Sequence, residues 1–146
     1  MNVIRNAGVI SGREQALLAG AHVAIAGVGG DGGQVAEALC RLGVASFALA
    51  DPEVFEEENL NRQNSSSVQT LGINKAVVLR ETILGINPAA HVDVYPEGVT
   101  VDNVDAFVRA GNLVIDETEY PMPALAVMSA RARRAAGLPV PPGLSR

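Results

Sequence analysis

An arginine and a lysine, Arg62 and Lys75, stand thirteen positions apart downstream of a glycine-rich turn, Gly27-Val28-Gly29-Gly30-Asp31-Gly32-Gly33, and of an acid, Asp51. Glycine at 27 permits a tight turn. Glycine at 29 lets backbone N–H groups approach a phosphate with no side chain between, and Gly32 lets a following helix pack close to the preceding strand. A helix starting there offers unpaired N–H groups and a partial positive charge to an anion. Asp51 lies nineteen residues after Gly32, where a carboxylate can accept hydrogen bonds from ribose hydroxyls. Such residues suit a nucleotide; a glycine turn that serves packing alone is the plainer alternative. Arg62 and Lys75 bear on which nucleotide chemistry follows. Holding NAD for redox work has no use for two fixed cations beside the phosphates. Attack of a carboxylate on the α-phosphate of ATP does. Negative charge then builds on that phosphorus and on the leaving pyrophosphate, where Arg and Lys stabilise it. Taken singly, each of the two reads as a solvated surface charge.

The elements that must position these residues are legible as periodic runs. Residues 23–28 are almost continuously apolar, as in a parallel strand covered on both faces. From Gly32 to Leu42, apolar Val35, Ala38, Leu39 and Leu42 recur at helical spacing, and Gly43 stands at the stop. Phe47–Ala50 is the next strand and delivers Asp51. Residues 52–67 are polar and irregular, and a connection of that length is expected to be functional; it carries Asn59, Arg62 and Gln63. A helix is expected over Leu71–Ile86, ended by Asn87-Pro88. A strand at Val92–Tyr95, a short helix at Val101–Ala110 and a strand at Leu113–Ile115 follow, then a helix over 123–136 and a strand from 138. Near the start, Ser11 and Glu14 have capping-box spacing ahead of a helix over about Gly12–Gly20. The alternation predicts an α/β fold: a Rossmann-like, doubly wound, mainly parallel sheet with helices on both faces, in one domain over residues 1–146.

Composition sets limits. The 146 residues are 48% hydrophobic and 18% charged, with positive mean hydropathy, which describes a globular chain. A net charge of −5 lacks the basic footprint of a DNA-binding protein. Aromatics amount to 3% with no Trp, a poor supply for stacking single-stranded bases. Cys40 is the one cysteine, so no disulfide forms within the chain, and no Cys/His set has zinc spacing. Cys40 itself reads as helix packing. No run reaches the ~18 apolar residues of a membrane span. No signal core follows Met1–Arg5, so the cytoplasm is the expected compartment.

Beyond these readings, the chain resembles the ThiF/MoeB/HesA family, the bacterial relatives of ubiquitin-activating enzymes, over roughly residues 5 to 140. The pieces that carry the resemblance are Gly27-Val28-Gly29-Gly30-Asp31-Gly32, Asp51-Pro52-Glu53, Asn59-Leu60-Asn61-Arg62-Gln63, Gly72-Ile73-Asn74-Lys75 and Ile86-Asn87-Pro88. The resemblance implies ATP-dependent adenylation of a carboxylate. That carboxylate is the C-terminal glycine of a ubiquitin-like or sulfur-carrier protein or, in some branches, a small molecule or a modified tRNA base. By position it implies Gly30 at a phosphate, Asp51 at the ribose, and Asn59, Arg62 and Lys75 facing the phosphates. It also implies Arg5, in Arg5-Asn6-Ala7-Gly8, reaching across a homodimer, and Glu119 as the acid that serves Mg2+ with ATP. Departures stand beside the matches. Glu119 replaces the usual Asp and Tyr120 the usual Asn. Met122-Pro123-Ala124 lack the arginine common there, Glu53 replaces an Asp, and Asp31 puts a negative charge in the glycine loop. Family members continue well past position 146, so the expectation is an adenylation domain without the usual C-terminal part. Two alternatives stay open: a non-catalytic or incomplete member that binds ATP as a dimer partner, and an NAD-dependent oxidoreductase. The second shares the glycine loop and Asp51 but leaves Arg62 and Lys75 unexplained.

Overall fold

The computed structural model describes residues 2–118 and Gly137. Glu119, the helix expected over 123–136 and the strand expected from 138 lie outside the described residues. Four parallel strands, β1 (His22–Ala26), β2 (Ser46–Ala50), β3 (His91–Tyr95) and β4 (Leu113–Asp116), form one sheet in the order β3-β2-β1-β4. The helices are α1 (Gly12–Ala19), α2 (Asp31–Leu42), α3 (Lys75–Ile86) and α4 (Val104–Arg109). The chain runs outward from β1 through β2 to β3, then crosses to the other side of β1 for β4. That reversal opens a crevice at the carboxyl ends of β1 and β4, the place where doubly wound sheets bind ligands. Ala26 is in register with both Ala50 and Asp116, so the three strand ends are flush at that crevice.

The central strands alternate large and small residues: Val23-Ala24-Ile25-Ala26 in β1 and Phe47-Ala48-Leu49-Ala50 in β2. Val23, Ile25, Phe47 and Leu49 face α2 and α3 and pack with Ala36, Cys40, Ala76, Leu79 and Ile83. Full burial of each large side chain contributes about 1.5–3 kcal/mol. The four alanines form the other face, under Val104, Phe107 and Val108 of the short α4. Both faces are covered, as continuous apolar strands require. Cys40 is buried in the first of these clusters, as packing. Among the described residues no helix is long and apolar enough to cross a membrane.

Three boundaries differ from the periodic reading. β1 ends at Ala26 and not Val28, because Gly27 turns the chain at φ +79°. α3 begins at Lys75 and not Leu71. Apolar Leu71 and Ile73 extend the apolar pattern of α3 backwards, yet residues 72–75 are tied back to 53–55: the N–H groups of Gly72 and Lys75 donate to the carbonyls of Phe55 and Glu53, and the N–H of Phe55 donates to the carbonyl of Ile73. α4 begins at Val104 because Asn103 Oδ1 takes the N–H of Thr100 at 2.7 Å and holds a turn ahead of it. At α1 the expected capping box is present, Ser11 with Glu14.

Candidate nucleotide site

Two loops meet at the carboxyl end of the sheet. The first joins β1 to α2 and is glycine-built. Gly27 lies where a Cβ would strike the backbone of Glu117, and a Cβ on Gly32 would overlap the carbonyl oxygen of Gly27. Both glycines are therefore demanded by close backbone approach, which was expected of Gly32; at Gly27 the expected turn is present as well, at φ +79°. Gly29 and Gly30 divide their labour. Around Gly30 nothing among the described residues lies within 4 Å of an added Cβ, whereas at Gly29 the amide of Gln63 lies 3.2–3.4 Å from that position. The open approach is at Gly30, while Gly29 makes room for a neighbouring side chain. Gly30 is also the N-cap of α2 and supplies no side-chain cap. The first N–H groups of the helix are left for an anion. Asp31 in that first turn is exposed.

Asp51 is 5% exposed. Its Oδ2 accepts the N–H of Val28 at 2.9 Å and its Oδ1 the N–H of Glu53 at 2.9 Å, so the carboxylate clamps the glycine loop to the start of the second loop. Each oxygen keeps a further lone pair for a hydroxyl donor. Burial pushes the Asp51 pKa up; the two backbone hydrogen bonds and the charge of Lys75 act against that rise.

The second loop runs from β2 to α3 and braces itself with side chains. Asn59, buried, accepts the N–H of Glu56 through Oδ1 at 2.9 Å. Asn74 caps α3 by accepting from Ala76 and Val77. Its Nδ2 donates to the carbonyls of Asp51 at 2.8 Å, Glu53 at 3.1 Å and Pro96 at 3.2 Å. Lys75 is not a surface charge: the residue is 4% exposed, and its Nζ pairs with Glu53 Oε2 at 2.6 Å. Its Nζ also lies 6.0 Å from the centre of the Phe55 ring. Arg62 is exposed, and its Nη1 donates within its own loop, to Glu58 O at 2.7 Å and Asn61 Oδ1 at 3.1 Å. Next to it, Gln63 is buried and reaches the glycine loop.

The structure thus brings Gly30, Asp51 and Lys75 to one end of the sheet. Arg62 sits on the adjoining loop, facing its own backbone. Arg5 is elsewhere. It lies exposed in a single 3-10 turn, Ile4–Asn6. That segment is tied to the far end of α2, where Asn6 and Gln15 both donate to Leu42 O. Twelve residues of α2 at 1.5 Å each place it about 18 Å along the helix from the glycine loop. Among the described residues no group of three or more His, Cys, Asp or Glu could hold a metal ion. The roles of Gln63 and Asn74 escaped the sequence reading. An Asn directly before a helix is a cap signal that could have found Asn74. No local signal marks the contact of Gln63 with Gly29, which joins residues 34 positions apart.

Comparison with known proteins gives consistent matches. The model of the ThiF family matches residues 3–123. The chain is 37% identical over 114 residues to the tRNA threonylcarbamoyladenosine dehydratase of Escherichia coli K12, covering 77% of this chain and 42% of that protein. It is 30% identical over 99 residues to a sulfur carrier protein adenylyltransferase of Thermus thermophilus, covering 68% of this chain and 36% of that one. The crystal structure of the E. coli dehydratase in complex with ATP superposes with a TM-score of 0.81 at 32% identity, over 94% of this chain and 55% of that chain. The chain therefore spans less than half the length of these two curated relatives.

Proposed function

The chain belongs to the ThiF family, and from that membership we propose that it binds ATP and activates a carboxylate by adenylation. A carboxylate oxygen of the substrate attacks the α-phosphorus. The bond from that phosphorus to the bridging oxygen breaks, pyrophosphate leaves, and an acyl-adenylate forms. The observation that carries this reading is Lys75, a buried cation beside Asp51 at the end of β2, next to a glycine loop open at Gly30. A cation held in a desolvated place stabilises developing phosphate charge more than a solvated one does. In this reading the N–H groups at the start of α2 hold a phosphate, Asp51 accepts from the ribose, and Lys75 leaves Glu53 for the phosphates. Asn59 shapes the loop from which Arg62 swings to the leaving pyrophosphate. Mg2+ is ordinarily held by one or two carboxylates together with substrate phosphates, so one acid, Glu119, suits it; the ion would neutralise phosphate charge.

The name of the Thermus thermophilus relative points to a sulfur-carrier protein as the carboxylate's source; the family resemblance adds a ubiquitin-like protein or a small acid to the proposal. Arg5, about 18 Å along α2 from its own glycine loop, fits a role in the site of a second copy, so a homodimer belongs to the proposal, as does a cytoplasmic setting. Calorimetry with ATP and, separately, with NAD+ tests the reading. ATP binding and no NAD+ binding are expected, followed by exchange of labelled pyrophosphate into ATP once a carrier protein ending in glycine is added. Binding of NAD+ with none of ATP would overturn it.

A further inference from the structure

We propose that Gln63 is a positioning residue of the nucleotide site: its side-chain amide is the joint that references the Arg62 loop to the glycine loop. The inference rests on the ATP reading above. Gln63 is 8% exposed, and its Oε1 is a buried polar atom with no hydrogen-bond partner among the described residues. A buried acceptor left unpaired is costly and calls for a reason. Packing supplies none, since a leucine fills similar space without that cost.

The surroundings of the amide point to one. Its Oε1, Nε2 and Cδ lie 3.2, 3.3 and 3.4 Å from the place a Cβ of Gly29 would take. The amide rests against the α-carbon of the glycine loop, on the side that only glycine leaves free. Its own backbone is pinned. The Gln63 N–H donates to Asn59 O at 3.0 Å, and Ser66 donates to Gln63 O through N at 2.9 Å and through Oγ at 2.7 Å. The main chain that carries the side chain therefore stays opposite Gly29 unless that turn unwinds. Arg62 is the preceding residue, and among the described residues its hydrogen bonds reach its own loop. Its position relative to the phosphates therefore depends on how the loop is held against Gly29, which is the work of Gln63. Oε1 is the acceptor for a peptide N–H of the glycine loop when a phosphate at Gly30 sets the bound shape of that loop.

Gln63→Leu removes the amide and keeps the bulk. The variant is expected to melt no lower than the unaltered chain, because the unpaired acceptor is gone, and yet to bind ATP about tenfold more weakly, the scale of one lost hydrogen bond. A merely structural glutamine would not produce the second signature: Arg62→Ala should weaken ATP binding less in the Gln63→Leu background than alone, because the arginine is already misplaced. Gln63→Asn, which keeps an amide but draws it back from Gly29 by one methylene, should weaken ATP binding with the same dependence on Arg62. Unchanged ATP affinity in both variants, or losses that simply add to that of Arg62→Ala, would overturn the role of Gln63 and leave the ATP reading intact. An unaltered chain that binds no ATP overturns both.

Discussion

The two loops at the end of the sheet are built on opposite plans. The β1–α2 loop is short and works through its backbone: Gly27 and Gly32 let main chain approach main chain, and the start of α2 carries no side-chain cap. The β2–α3 loop is long, and a long loop must first satisfy its own peptide groups. Asn59, Ser66, Thr70 and Asn74 are spent on that task. Only some of its polar residues remain for a ligand, and their chemical type does not say which. Asn59 and Gln63 are both buried amides in one motif, but Asn59 closes its own loop while Gln63 faces the other. A loop whose ligand is the backbone is specified by where side chains must be missing. A loop whose ligands are side chains is specified by which of them are already occupied.

The sharpest way to break the comparison lies within the glycine loop. Gly32→Ala puts a Cβ into the carbonyl of Gly27, where neither backbone can yield. It should cost more than the usual 1–3 kcal/mol of overpacking, roughly enough to abolish cooperative melting of a marginally stable domain. Gly30→Ala meets nothing within 4 Å among the described residues and should change the melting temperature by only a few degrees while weakening ATP binding. Equal stability of the two variants in thermal melts would mean the backbone plan is wrong.

In the second loop the expected losses are functional. Lys75→Ala should lower pyrophosphate exchange by about 10²–10³-fold, the scale of removing one stabiliser of transition-state charge. It should also lower the melting temperature, since a buried stem and an ion pair are lost. Arg62→Ala should give a comparable loss of exchange with no change in melting, because its side chain is exposed. If both variants destabilise equally, the contrast between a buried and an exposed cation fails.

The smallest effect concerns Asp51, the clamp between the loops. Burial raises its folded pKa above the ordinary value, so the folded state holds this proton more tightly than the unfolded one. By linkage, this residue's contribution to stability falls as pH rises from the ordinary carboxylate value through the raised folded one. Asp51→Asn removes the titration. The melting temperature of the unaltered chain should therefore lose ground to that of Asp51→Asn as pH rises through the acid range. Differential melting at a series of pH values checks this; a constant difference, or one of opposite sign, would contradict it.

How much of this was legible follows from the range of each interaction. The strand–helix alternation, the Ser11–Glu14 box, the stop at Gly43 and the tight glycines 27 and 32 all rest on neighbours within a few residues or on patterns along one element. The start of α3 was misread because Leu71 and Ile73 extend its apolar pattern backwards, while their backbone is claimed by Phe55 and its neighbours across the loop. The motif residues pointed to ATP by kind and spacing, and the family followed from them.

By itself, then, the sequence determined the doubly wound sheet, the place of the glycine loop and the identity of the charged residues nearby. Hydrophobic period and turn chemistry are local properties, readable along a single strand of text. Only the tertiary structure decided that Lys75 is buried and paired with Glu53, and that Asp51 holds the glycine loop by its backbone. It also decided that Gly29 makes room for Gln63 and that Arg5 sits by the far end of α2. Each of these depends on which distant segments meet once the chain has folded. Burial, which sets the strength of a charge and the need of an amide for a partner, exists only once they have met.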